Sequence, residues 1–201
     1  MGDLPAFIEL GFRHIVSVGA VDHILFLLVL AAIYRPRDWR AVLWVVTAFT
    51  LGHSLTLALA VTGRLDLPGA WVEFLIPVTI VATGVENLLL RERALAGRGA
   101  RHRPVIALLF GLVHGAGFAG YLRGLLVDDV ATPLLGFNIG VELGQLTVLA
   151  ETAVLFVAAD RGLERLRDLL RFRTAPFLLR LTAVSTLVTA VAAFWTWERL
   201  P

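Results

Sequence analysis

Six apolar stretches, at about 14–34, 40–62, 69–90, 104–126, 132–159 and 176–197, leave little chain between them. Each is near the ~20 residues that carry an α-helix across a bilayer. The hydrophobic share of 58% and the mean hydropathy of +0.80 exceed the roughly half-apolar composition of soluble domains. The prediction is an all-α integral membrane protein: one six-transmembrane-helix bundle over residues 1–201, with no separate soluble domain.

Orientation follows from arginine, because the chain has no lysine and cytoplasmic loops carry the excess of positive charge. The connections after the first, third and fifth spans hold fourteen arginines, among them Arg35, Arg37, Arg40, Arg91, Arg93, Arg98, Arg101 and Arg103. The opposite side holds four, Arg13, Arg64, Arg123 and Arg199. Both termini are therefore expected outside. Trp39, Trp44, Trp71, Trp195 and Trp197 fall near predicted span ends, where an aromatic belt belongs. The segment before the first span lacks a basic stretch and a small-residue cleavage site, so the first helix is expected to be retained. Residues 161–173 alternate charge with Leu163, Leu166, Leu169 and Leu170, which fits a short amphipathic helix on the cytoplasmic surface or a solvated connector.

The arginine placement also explains the formal charge of +2, so no nucleic-acid partner is expected. Membrane lipid surrounds such a chain, and a homo-oligomer is compatible with it. The absence of cysteine excludes disulfides, thiolate metal sites and cysteine nucleophiles. Met1 is the single methionine, so any metal site is built from imidazole and oxygen.

Ionisable side chains within spans are costly and usually mark a cavity or a functional site. At ~1.5 Å per residue, His23 lies about nine residues from the outer face, His53 about nine, His114 about twelve and Glu142 about ten. Four helices thus bring ligand-type side chains to one level. Asp22, next to His23, can orient a neighbouring imidazole by accepting its second ring N–H. His14, nine positions before His23, belongs on the opposite face of a continuous helix, although Gly19 between them can bend the path. Its role is either a ligand at the mouth of the site or an interfacial histidine.

His53 is flanked by Thr50 and Thr56, and Gly111 and Gly115 around His114 form a small-xxx-small helix-packing pair. Asn138, Glu142 and Gln145 make one polar stripe. Thr79, Thr83, Glu86 and Asn87 share a face of the third span, and Glu151 lies at a similar inner depth. Either Glu86 and Glu151 extend a polar path towards the cytoplasm, or Glu86 pairs with an arginine such as Arg91 or Arg93. Glu73 is expected at the outer interface and His102 in solvent.

Five ordered segments resemble the HupE/UreJ family of small membrane proteins, more closely its second branch: GAVDHILFLL (19–28), TAFTLGHSLTLA (47–58), VEN (85–87), FGLVHGAGFA (110–119) and FNIGVELGQ (137–145). The resemblance implies movement of nickel or a related divalent metal across a bacterial inner membrane. It carries metal-site roles onto Asp22, His23, His114 and Glu142. His14 departs from the family's pattern, standing two residues further from the Asp-His pair and lacking the proline after it.

Two functions fit these residues. A permease for a divalent transition metal of the nickel or cobalt type would bind its ion among His23, His53, His114 and Glu142, since imidazole and carboxylate suit that ion class. An intramembrane zinc-dependent hydrolase would use the same histidines to activate water, with Asp22 or Glu142 as general base.

Overall fold

The computed structural model of the protein describes residues 4–95, 102–125, 130–171 and 173–201. Among them every regular element is helical: α1 (Leu4–Val16), α2 (Val21–Ala32), α3 (Trp39–Val61), α4 (Gly69–Leu95), α5 (Arg103–Gly117), α6 (Ala119–Leu125), α7 (Ala131–Leu170) and α8 (Pro176–Glu198). Single 3₁₀ turns, Val18–Ala20 and Pro36–Asp38, precede α2 and α3.

Among the described residues, four helical stretches are long and apolar enough to cross a membrane: Pro36–Val61, Gly69–Arg91, Ala131–Leu170 and Pro176–Glu198. A fifth is reached if α1 and α2, bent by 69° at their junction, form one span. The helix predicted at 14–34 therefore begins earlier, at Leu4, and is broken in the middle. The stretch predicted at 104–126 divides into α5, of 15 residues, and the short α6. The segment 161–170 is the end of α7 and not a separate surface helix. At 40 residues, α7 is ~60 Å long against a hydrocarbon core of ~30 Å, so one end of it extends beyond the core. Arg98, Arg101 and the side chain of Arg93 lie outside the described residues.

Local chemistry sets the helix ends. The Arg35 backbone N–H donates to Asp38 Oδ2 at 3.0 Å across the turn that leads into α3. Gly63, at φ 71°, takes the left-handed conformation that ends α3 where a side chain would be strained. Pro176 opens α8, where a missing N–H costs nothing. Pro77 lies inside α4 and deprives the Glu73 carbonyl of its helical donor. Arg199 Nη1 approaches that carbonyl at 3.5 Å.

Glycine brings the helices into backbone contact. A Cβ at Gly140 would overlap the Ile8 carbonyl oxygen, so α7 and α1 touch without intervening side chains. Likewise, a Cβ at Gly111 would overlap the Phe49 carbonyl, and one at Gly115 the His53 carbonyl. The expected Gly111 and Gly115 packing pair thus seats α5 on α3 at the level of His53. Gly136, Gly140 and Gly144 form the corresponding run of small residues on α7, facing α1. These two pairings place His14 from α1, His53 from α3 and His114 from α5 around the junction of α1 and α2.

Candidate metal centre

The 3₁₀ turn at Val18–Ala20 brings His14 back towards His23. The rings of these two residues meet edge-on, with centroids 4.7 Å apart. His53 lies 6.1 Å from His14, and His114 lies 5.2 Å from His23. One ligand atom each from His14, His23 and His53 can be chosen so that all lie within 4.8 Å of one another. Three nitrogens on one ion, with bonds of ~2.0–2.1 Å, lie ~3.3–3.6 Å from one another. The rings therefore need to close by up to about 1.5 Å to share an ion.

The hydrogen bonds around the rings favour the tautomers that a metal requires. His23 Nδ1 is 3.0 Å from Asp22 Oδ1, which also accepts the His23 backbone N–H at 2.8 Å. With the Nδ1–H donating to the carboxylate, Nε2 keeps its lone pair. That nitrogen is buried and has no partner among the described residues. His114 Nε2 is 3.0 Å from Thr79 Oγ1, and the Thr79 hydroxyl lies 2.7 Å from the Ile76 carbonyl. A hydroxyl has one proton. If it goes to Ile76, the ring N–H of His114 donates to Thr79 and leaves the unpartnered Nδ1 free to ligate. His14 Nε2 and both nitrogens of His53 are also buried without partners among the described residues. His53 is fully buried, and its ring lies nearly parallel to that of Phe137 at 6.2 Å.

Unpaired buried polar atoms cost ~1–3 kcal/mol each. Five imidazole nitrogens are in that state around one point, and because neutral His53 has one N–H and one lone pair, up to four lone pairs are available there to a ligand. A cavity of about 620 Å³ leads to them, lined by Ser17, Asp22, His23, His114, Glu73 and Arg199. Glu73 is exposed and Arg199 is partly exposed, so polar side chains stand at its rim.

The other predicted site residues are placed differently. Glu142 accepts a hydrogen bond from Thr47 Oγ1 at 2.8 Å, and Thr47 is six positions from His53 on α3, or ~9 Å of helical rise. Gln145 is buried and accepts from Thr50 Oγ1 at 2.8 Å. Asn138 Oδ1 is buried without a partner among the described residues. Glu86 forms an ion pair with Arg103 Nη2 at 2.8 Å and a hydrogen-bond contact with His102 Nε2 at 2.6 Å. Among the described residues its partners are therefore Arg103 and His102, where an arginine such as Arg91 or Arg93 was expected, and His102 is not simply solvated. Glu151 is exposed on α7 and does not face the interior between the helices. Sequence reasoning missed the aromatic floor of the site, where Phe118 and Phe137 stack at 4.9 Å and Phe118 lies 4.2 Å from His14. Both aromatics sit inside the motif segments quoted above, which was the available signal.

A family model described as HupE / UreJ protein matches residues 1–199. The chain belongs to the HupE/UreJ family. Membership implies a function related to nickel or cobalt transport, and the histidine cluster that could hold a metal ion lies within the matched region. No curated protein and no solved structure matches the chain.

Proposed function

We propose that the chain is a permease that carries a divalent transition-metal ion of the nickel or cobalt class across a bacterial inner membrane. The observation that carries this reading is the meeting of three imidazoles at a break in a membrane helix, below an open polar cavity. Transporters place substrate at such interruptions, because irregular backbone is tolerated in a membrane only where it lines a cavity or is covered by protein. The ion enters from the Glu73 and Arg199 side, loses water near Asp22, and binds among His14, His23 and His53 with His114 beside them. Glu142 and Gln145, held by Thr47 and Thr50, provide the next oxygens along α3 and α7.

In this reading α1 with α2 forms one crossing and α5 with α6 another, giving six, with both termini outside. The arginine count supports that orientation. Glu86 is a structural partner of Arg103, and Glu151 takes no part in the path. Protons compete with metal for imidazole lone pairs, so affinity falls on acidification.

The test uses purified protein, first for bound metal and then for flux in proteoliposomes. Saturable nickel or cobalt uptake that is lost in His23→Ala and His53→Ala supports the permease. Stoichiometric bound zinc with no flux of any of these metals sinks it in favour of the hydrolase. Absence of metal binding in folded wild-type protein removes both.

A further inference from the structure

We propose that a groove at the arginine-rich end of the bundle holds an anionic phospholipid as a fixed component of the structure. The groove lies between the end of α2, the start of α3 and the second half of α7, and encloses about 280 Å³. Its wall is apolar, and Ala150 and Ala153 on α7 make the recess, because a larger side chain at either position would fill it. Its polar rim is formed by Tyr34, Arg35, Trp39, Asp160 and Arg180.

Three observations point to a phospholipid. The first is length. The α7 wall runs from Leu146 to Asp160, a rise of ~21 Å. Half of a ~30 Å hydrocarbon core plus one headgroup layer of ~5–7 Å comes to ~20–22 Å. The second is charge. Asp160 is already compensated by Arg180 Nε at 2.8 Å, and Arg37 lies 3.9 Å from Asp38. The guanidinium of Arg35 lies over the Phe177 ring at 4.7 Å, which leaves its edge N–H groups for an acceptor. With Arg40 nearby on α3, the rim carries a positive excess that complements a phosphate diester. The third is the arrangement: aromatic side chains stand at the polar end and aliphatic ones below, in the order of the headgroup and acyl regions of a leaflet.

The experiment measures co-purifying phospholipid by native mass spectrometry, then thermal stability after delipidation and add-back. The probes are phosphatidylglycerol, phosphatidylcholine and inorganic phosphate. Expected are retention of phosphatidylglycerol in the wild type and its loss in Ala150→Leu/Ala153→Leu, which fills the groove with apolar volume. Arg35→Gln should keep the lipid but reduce the preference for phosphatidylglycerol over phosphatidylcholine by about fivefold, the value of one arginine at an anionic surface. Far-UV circular dichroism verifies that each variant is folded. Equal retention in the filled variant, equal stabilisation by the two lipids, or stabilisation by inorganic phosphate alone would each overturn the proposal.

Discussion

The two ends of α2 treat buried polarity in opposite ways. At its start, His23 and its neighbours His14, His53 and His114 present ring nitrogens with no partner among the described residues. Towards its end, polar groups are met by other polar groups. The Val29 carbonyl accepts from Asn87 Nδ2 at 2.6 Å, and the Ala32 carbonyl accepts from Arg180 Nη1 at 3.1 Å. Arg180 is paired with Asp160 and Arg103 with Glu86. Arg103 Nε and Nη1 have no partner among the described residues, and its guanidinium lies 5.6 Å from the Tyr34 ring centre, but its charge is balanced. One helix thus separates a region built to hold the bundle together from a region that offers lone pairs to something else. Buried charge alone does not mark a site; buried unsatisfied acceptors gathered around a cavity do.

The strongest way to break that contrast is Glu86→Gln. Arg103 is buried, and removing one member of a buried ion pair costs ~3–5 kcal/mol. The expected result is a large fall in thermal stability with metal affinity unchanged, and partial recovery in Glu86→Gln/Arg103→Met, which removes both charges. Thermal unfolding in detergent alongside metal titration measures the two quantities together. Unchanged stability with lost metal flux would make the inner end part of the path and erase the distinction.

The opposite region predicts the opposite pattern. Asp22→Asn replaces the acceptor that fixes His23 with an amide able to donate to Nδ1, which moves the ring proton to Nε2, the nitrogen needed for metal. Metal affinity should fall by about 10–100-fold, the range for removing the partner that orients a ligating histidine, while the melting temperature shifts little. Isothermal titration with nickel and cobalt reads this directly. A stability loss as large as that of Glu86→Gln, with affinity retained, would make the Asp22 and His23 pair structural.

Much of this contrast was visible in the sequence where helical periodicity carries it. Counting along spans shows that histidines from separate helices reach a common depth, because rise per residue is fixed. His14 was harder to place. In a continuous helix it points away from His23, and only the bend at Val18–Ala20 turns the two rings together. Gly19 signals that a bend is tolerated, but where α1 lies is set by its tight seating on Gly136, Gly140 and Gly144, a contact between segments distant in sequence. The spacing of those glycines was itself readable as a packing face. Glu86 was open to misassignment for a related reason: nearby arginines follow it on the same helix, yet its partner Arg103 comes from α5. The stripe of Asn138, Glu142 and Gln145 follows from period alone, whereas the bond of Glu142 to Thr47 depends on how α7 registers against α3.

The smallest expected effect asks whether the set has three imidazoles or four. His14, His23 and His53 form the compact triplet, and His114 stands beside it with its ring held by Thr79. Thr79→Val removes the hydroxyl while keeping the branched shape, and because it leaves the buried His114 ring N–H without an acceptor the cost to stability is ~1–3 kcal/mol. Thr79→Ser restores the hydroxyl and should behave as wild type. If His114 ligates, Thr79→Val loses the orientation of its ring, and metal affinity falls by about tenfold, the lower end of the range for removing a partner that orients a ligand. The visible spectrum of the cobalt-loaded protein should then change in band position, which a loss of packing alone would not produce. An unchanged spectrum and affinity would confine the metal to the triplet and leave His114 as part of the cavity wall, with Asp22 the one residue that orients a ligand.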